Sequence, residues 1–119
     1  MARSDELDEL LHKLETAKAP SQSLEINMRW LLSKNYNDLQ FPGMFSNKFN
    51  PLSNSEHAFS LIQAMVPEGQ IELSGTFGRP DWCAGIRTGN HFGGTAGRPD
   101  MHMALSAALL RTLLAIDRE

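Results

Sequence analysis

The sequence predicts an α+β domain, with a small antiparallel sheet of two to three strands packed with helices. Apolar residues recur at helical spacing in four stretches, and they alternate with polar residues in two shorter ones just before the last helix. Gly, Pro, Asn and Asp collect at the breaks between these stretches, where turns and caps require them. Helices grouped apart from a short run of strands, and not alternating with them, indicate a segregated α+β arrangement.

The elements follow in order. Ser4 is placed to cap a first helix whose opening turn carries Asp5 and Glu6, favourable at the positive end of the helix dipole. Leu7, Leu10, Leu11 and Leu14 form its apolar stripe. Ala19-Pro20 disfavours continuation, and Ser21 opens a second helix with Leu24, Met28, Leu31 and Leu32 on one side and Trp30 adjacent to them. Residues 1–33 thus read as two N-terminal helices. Residues 34–52 lose all periodicity. There Asn35, Asn37, Pro42, Gly43 and Pro51 interleave with Tyr36, Phe41, Met44, Phe45 and Phe49, the composition of an ordered, aromatic-rich loop.

Residues 53–119 read as a helix-hairpin-helix core within a single domain, 1–119. Ser53 and Glu56 have capping-box spacing, and Ala58, Phe59, Leu61, Ile62, Met65 and Val66 supply the apolar face that follows. Pro67-Glu68-Gly69 stops that helix. Ile71, Leu73, Gly75 and Phe77 then alternate with polar residues, as on a half-buried strand over 70–77. A turn at 78–81 leads to a hairpin partner in which Trp82, Ala84 and Ile86 alternate with Cys83, Gly85 and Arg87. The glycine-rich run 88–97 is open to two readings, a short third strand or a binding loop. Asp100 is placed to cap a last helix over 101–116, with Leu105, Leu109 and Leu113 and the small Ala104, Ala108 and Ala115.

Composition excludes several classes of function. With 119 residues, 41% hydrophobic and 21% charged, the chain has the make-up of one globular domain, and no apolar run approaches the roughly 20 residues of a membrane span. The acidic start lacks the apolar core of a signal peptide, so a cytoplasmic location is expected. A net charge of −3 argues against general nucleic-acid binding. His12, His57, His91 and His102 lie on separate elements without paired-ligand spacing, and Cys83 stands alone, so neither a metal site, a cofactor nor a catalytic nucleophile is expected.

Two features carry functional weight. The tetrapeptide Gly-Arg-Pro-Asp occurs twice, beginning at Gly78 and at Gly97, and would present Arg79 and Arg98 from rigid turns suited to phosphate or carboxylate. Between the copies, Asn90, His91 and Phe92 lie among glycines that let a ligand approach the backbone. The run matches neither a Walker nor a dinucleotide pattern.

Stretches 10–25 (LLHKLETAKAPSQSLE), 64–73 (AMVPEGQIEL) and 104–115 (ALSAALLRTLLA), with the strand that holds Trp82, resemble small phage and prophage proteins of the phage ABA-sandwich type. The resemblance covers about half of the chain, mostly in packing and turn residues, and implies an ABA-sandwich-like scaffold of phage type without catalysis. By analogy with compact phage proteins that sequester nucleotide immune signals, it implies a binder of a nucleotide-derived small molecule in the host cytosol. The expected ligand residues are Arg79, Trp82, Arg87, Asn90, His91, Phe92 and Arg98, with a homo-oligomer helping to enclose the ligand. The alternatives are an inhibitor of a host defence protein that docks through Tyr36, Phe41, Met44 and Phe45, or an accessory protein of another role.

Overall fold

The computed structural model describes residues 3–19, 21–36, 50–52 and 54–118. Over these residues it is an α+β fold of four helices and one three-stranded antiparallel sheet: α1 (Arg3–Thr16), α2 (Gln22–Asn35), α3 (Ser55–Met65), β1 (Gln70–Ser74), β2 (Trp82–Thr88), β3 (His91–Arg98) and α4 (Met101–Asp117). Residues 37–49, most of the expected aromatic-rich loop with Phe41, Met44, Phe45 and Phe49, and Ser53 lie outside the described residues.

α4 is the hub. Its residues Met103–Leu110 and 112–114 are all buried, because one side meets β2 and β3 while others meet α1 and α3. A helix apolar all round is stable in such a surrounded position. Leu7, Leu11 and Leu14 of α1, Leu61 and Ile62 of α3, and Ala84 and Ile86 of β2 complete one contiguous core with it. α2 packs chiefly on α1.

The caps act as the residue types demand. The Ser21 side chain accepts from the Leu24 N–H, and Asp100 Oδ1 accepts from the Met103 N–H at 2.9 Å, each satisfying an orphan donor of its helix. Two expected caps are corrected. Arg3 is already helical, so Ser4 lies inside the first turn of α1, and α3 is capped by Asn54, whose Oδ1 accepts from the His57 N–H at 3.1 Å.

The sheet runs in the order β1-β2-β3, and the glycine-rich run resolves as a full strand, β3. Thr88 and His91 pair across a two-residue turn in which Gly89 has φ +58°. A positive φ at the first central position is what a type II′ hairpin needs. β1 is shorter than the alternation implies. It ends at Ser74, because the Trp82 ring lies where a side chain on Gly75 would be, and the chain leaves the sheet there. Phe77 is therefore not an inward strand residue. It is 87% exposed on the β1–β2 loop, with its ring edge-on to Trp82 at 5.6 Å. Opposite the start of β2, β3 carries one extra residue between its pairs with Trp82 and Ala84, a β-bulge beside Gly97 (φ +72°).

Candidate functional site

Antiparallel register sorts the strand residues onto two faces. One face holds Ala84, Ile86 and Gly93 and lies against α4. Among the described residues the other face carries no helix, and the register arranges it in rows: Gln70, Arg87 and Phe92; then Glu72, Gly85 and Gly94; then Ser74 and Cys83. The middle row has two glycines beside one carboxylate, which leaves a shallow trough. With Ser74 and Cys83 at one end and Phe92 at the other, its volume is about 330 Å³, at the lower end of the range that small-molecule sites occupy.

Phe92 dominates this face. A Cβ on Gly85 would stand 2.9 Å from its ring and one on Gly94 3.0 Å, so the ring is laid over both glycines and fills the space their missing side chains leave. The phenyl group is nevertheless 53% exposed. The Arg87 guanidinium, on the residue paired with Phe92, stands 5.4 Å from the ring centroid, within cation–π range. Together they form an aromatic platform with a cation at its edge, able to stack a planar group and neutralise an attached anion. Asn90 is exposed at the tip of the adjoining hairpin, and His91 is half-buried beside it.

The seven expected ligand residues divide into two groups. Arg87, Asn90, His91 and Phe92 share the β2–β3 hairpin end. Arg79, Trp82 and Arg98 belong to the opposite end, because β2 runs from Trp82 to Arg87 over about 17 Å at strand rise. Within this second group Trp82 is buried on the α4 side of the sheet, and its register partner Arg98 is tied down. Arg98 donates through Nε and Nη2 to the Ala96 carbonyl at 3.1 and 2.9 Å and through Nη1 to the Glu15 carbonyl near the end of α1. The Glu15 carboxylate in turn accepts from Arg111 at 2.6 Å and from the Thr95 hydroxyl at 3.1 Å. Arg98 is thus part of a clasp that joins α1, β3 and α4.

The two Gly-Arg-Pro-Asp copies lie at the same end of the sheet, and each glycine has positive φ, +83° at Gly78 and +72° at Gly97. Their remaining residues act differently. Asp81 Oδ1 accepts from the Thr76 N–H at 2.9 Å and closes the β1–β2 loop, whereas Asp100 caps α4. Arg79 is exposed on the loop; Arg98 is clasped.

Of the expected protein-docking residues, Tyr36 alone is described. It is half-buried at the end of α2 with the Arg3 guanidinium 4.8 Å from its ring, and Arg3 also pairs with Asp117 of α4. Burial first, then the nearby Asp117 carboxylate, pushes its hydroxyl pKa up to about 12 against the opposing effect of Arg3. The Arg3–Asp117 pair joins α1 to α4, and the Tyr36 ring packs under the Arg3 guanidinium. Among the described residues no group of three or more His, Cys, Asp or Glu converges as a metal site would, and no helix is long and apolar enough to cross a membrane.

Glu72, Gly85 and Gly94 complete the open face and were not among the expected ligand residues. Their signal is present in the polar half of each strand's alternation, where Glu72 and Gly85 fall on the outward positions, but pairing register is needed to bring them together. No protein-family model, no curated protein and no solved structure matches the chain.

Proposed function

We propose that this chain is a non-catalytic binding protein that captures a nucleotide-derived small molecule on the open face of its sheet. The observation that carries the reading is Phe92, half-exposed over a floor of two glycines with the Arg87 guanidinium 5.4 Å from its ring. A base stacked on an aromatic ring gains about 1–3 kcal/mol, and an arginine at the ring's edge is suited to a phosphate. Asn90 lies at the same end of the sheet to hydrogen-bond a sugar or base edge. Arg98 lies at the opposite end of the sheet and is held there by three hydrogen bonds to the Ala96 and Glu15 carbonyls, so it is left out of the ligand set. In the phage setting that the sequence resemblance implies, the role is sequestration of a host immune signal in the cytosol.

The test is a melting-temperature series with cyclic dinucleotides, ADP-ribose derivatives and mononucleotides, since a ligand selective for the folded state raises the midpoint. At least one member raises it in the parent protein, and Phe92→Ala and Arg87→Ala abolish the rise. No shift with any of these compounds, or a shift that survives both substitutions, overturns the reading.

A further inference from the structure

We propose that this chain forms a symmetric homodimer through the face made by α1 and α2, with Trp30 beside the two-fold axis and Glu9 of each copy paired with Lys13 of the other. This is independent of the ligand site, which lies on the sheet.

The first observation is that α2 is apolar on two sides. Leu24, Met28, Leu31 and Leu32 face the core, while Ile26 and Trp30, one turn apart, are 49% and 59% exposed. An exposed tryptophan next to an exposed isoleucine has a large apolar area still in water, and tryptophan is among the residues that most often anchor interfaces. The second observation is a hollow beside the ring. Leu10, Leu31 and the Trp30 ring itself line it, with Glu6, Glu9, Lys13 and Asn27 around them; its volume is about 150 Å³, and the Lys34 ammonium stands 4.9 Å from the ring centroid. A half-exposed indole that borders its own apolar hollow gives one patch, and that patch can close on the same patch of a second copy across a two-fold axis.

Charge placement selects a second copy as the occupant. The Lys34 ammonium stands 3.1 Å from the Glu6 carboxylate, so the two helices are antiparallel with the 6 and 34 levels matched. At equal rise per residue, Leu10 is then level with Trp30 and Lys13 with Asn27, which agrees with the lining of the hollow. Glu9 and Lys13 therefore lie one on either side of the Trp30 level. They currently form an exposed i,i+4 pair at 3.5 Å. A two-fold axis midway between Glu9 and Lys13, about 1.5 Å from the Trp30 level, runs the second α1 antiparallel to the first, and this sets Glu9 against Lys13 twice while the two indole rings meet beside them. A parallel arrangement would instead put like charges together.

Sedimentation equilibrium of the parent chain shows a concentration-dependent dimer. Trp30→Ala weakens it by roughly thirtyfold or more, the scale of losing a buried aromatic anchor, with the circular dichroism of the fold retained because the side chain is exposed in the monomer. Glu9→Lys alone and Lys13→Glu alone each weaken it by about tenfold through like-charge contacts, and the double exchange restores it. A monomer at millimolar concentration, a dimer insensitive to Trp30→Ala, or a double exchange no tighter than the singles overturns the proposal.

Discussion

The two faces of the sheet are built from the same three strands and solve opposite problems. On the α4 face, Gly93 brings strand and helix into backbone contact: a Cβ there would stand 2.3 Å from the Thr112 nitrogen and 2.7 Å from the Ala108 carbonyl oxygen. The Thr112 hydroxyl, fully buried, donates to Ala108 and lies 3.3 Å from the Ile86 carbonyl oxygen, so its polar atom is satisfied where water is absent. On the open face, Gly85 and Gly94 meet no backbone at such distances, only the outer atoms of one phenyl ring. One face therefore uses glycine for close packing. The other uses it to seat the Phe92 ring directly on the strands. Glycines in adjacent strands thus do different work according to what lies over them, which residue type alone does not reveal.

Substitutions on the two faces should separate these roles, beginning with the largest effect. Ile86 is fully buried between sheet and α4, and Ile86→Ala removes its methyl groups and leaves a cavity. The expected loss is about 3 kcal/mol in urea denaturation. Gly93→Ala is expected to cost about 2 kcal/mol, because the colliding atoms belong to the α4 backbone and the helix must move as a unit. A loss below about 0.5 kcal/mol for Gly93→Ala would show that α4 shifts freely and that the close approach is not a fixed feature.

Phe92→Ala belongs to the open face and should behave differently. The ring is half in water and contacts glycines on one side, so the stability loss is about 1 kcal/mol or less. The same change should abolish ligand-induced stabilisation altogether, read as the melting-temperature shift at saturating ligand. If Phe92→Ala destabilised the fold as strongly as Ile86→Ala, the phenyl ring would be a packing residue, and the distinction between the faces would fail.

Much of the fold was legible in the sequence because local chemistry and tertiary structure agree. Ser21 and Asp100 cap the helices they precede, and the Leu7–Leu14 stripe and the alternation of Trp82, Ala84 and Ile86 face the core. Where reading failed, a distant contact decided. Phe77 fits the alternation of β1, but the Trp82 ring across Gly75 ends the strand first. β3 was ambiguous because its glycines give no side-chain pattern, and its necessity lies in α4, which needs Gly93. The candidate site was half legible. Arg87, Asn90, His91 and Phe92 are close in sequence and share one hairpin, while Arg98 has the right chemistry for an anion but is claimed by the Glu15 carbonyl 83 residues away. Sequence spacing does not show which of two equivalent arginines a remote helix will occupy.

The smallest expected change is the most discriminating. Gly85→Ala sits in the central strand under the Phe92 ring, where the added methyl group would lie 2.9 Å from the ring's edge. Two effects oppose one another. Replacing glycine by alanine restricts the unfolded chain and favours the fold by about 0.4–1 kcal/mol, while displacing the ring costs contacts of similar size. Because the obstructing atoms are the far end of a side chain with water above it, the ring can tilt away. The net change should lie within about 0.5 kcal/mol of zero, in contrast to the loss at Gly93. Ligand affinity should nevertheless fall, since the tilted ring no longer presents a flat platform beside Arg87. Gly85→Ala with unchanged stability and weakened binding would assign the glycine floor to the ligand; unchanged binding would assign it to strand packing alone, with titration calorimetry distinguishing the two.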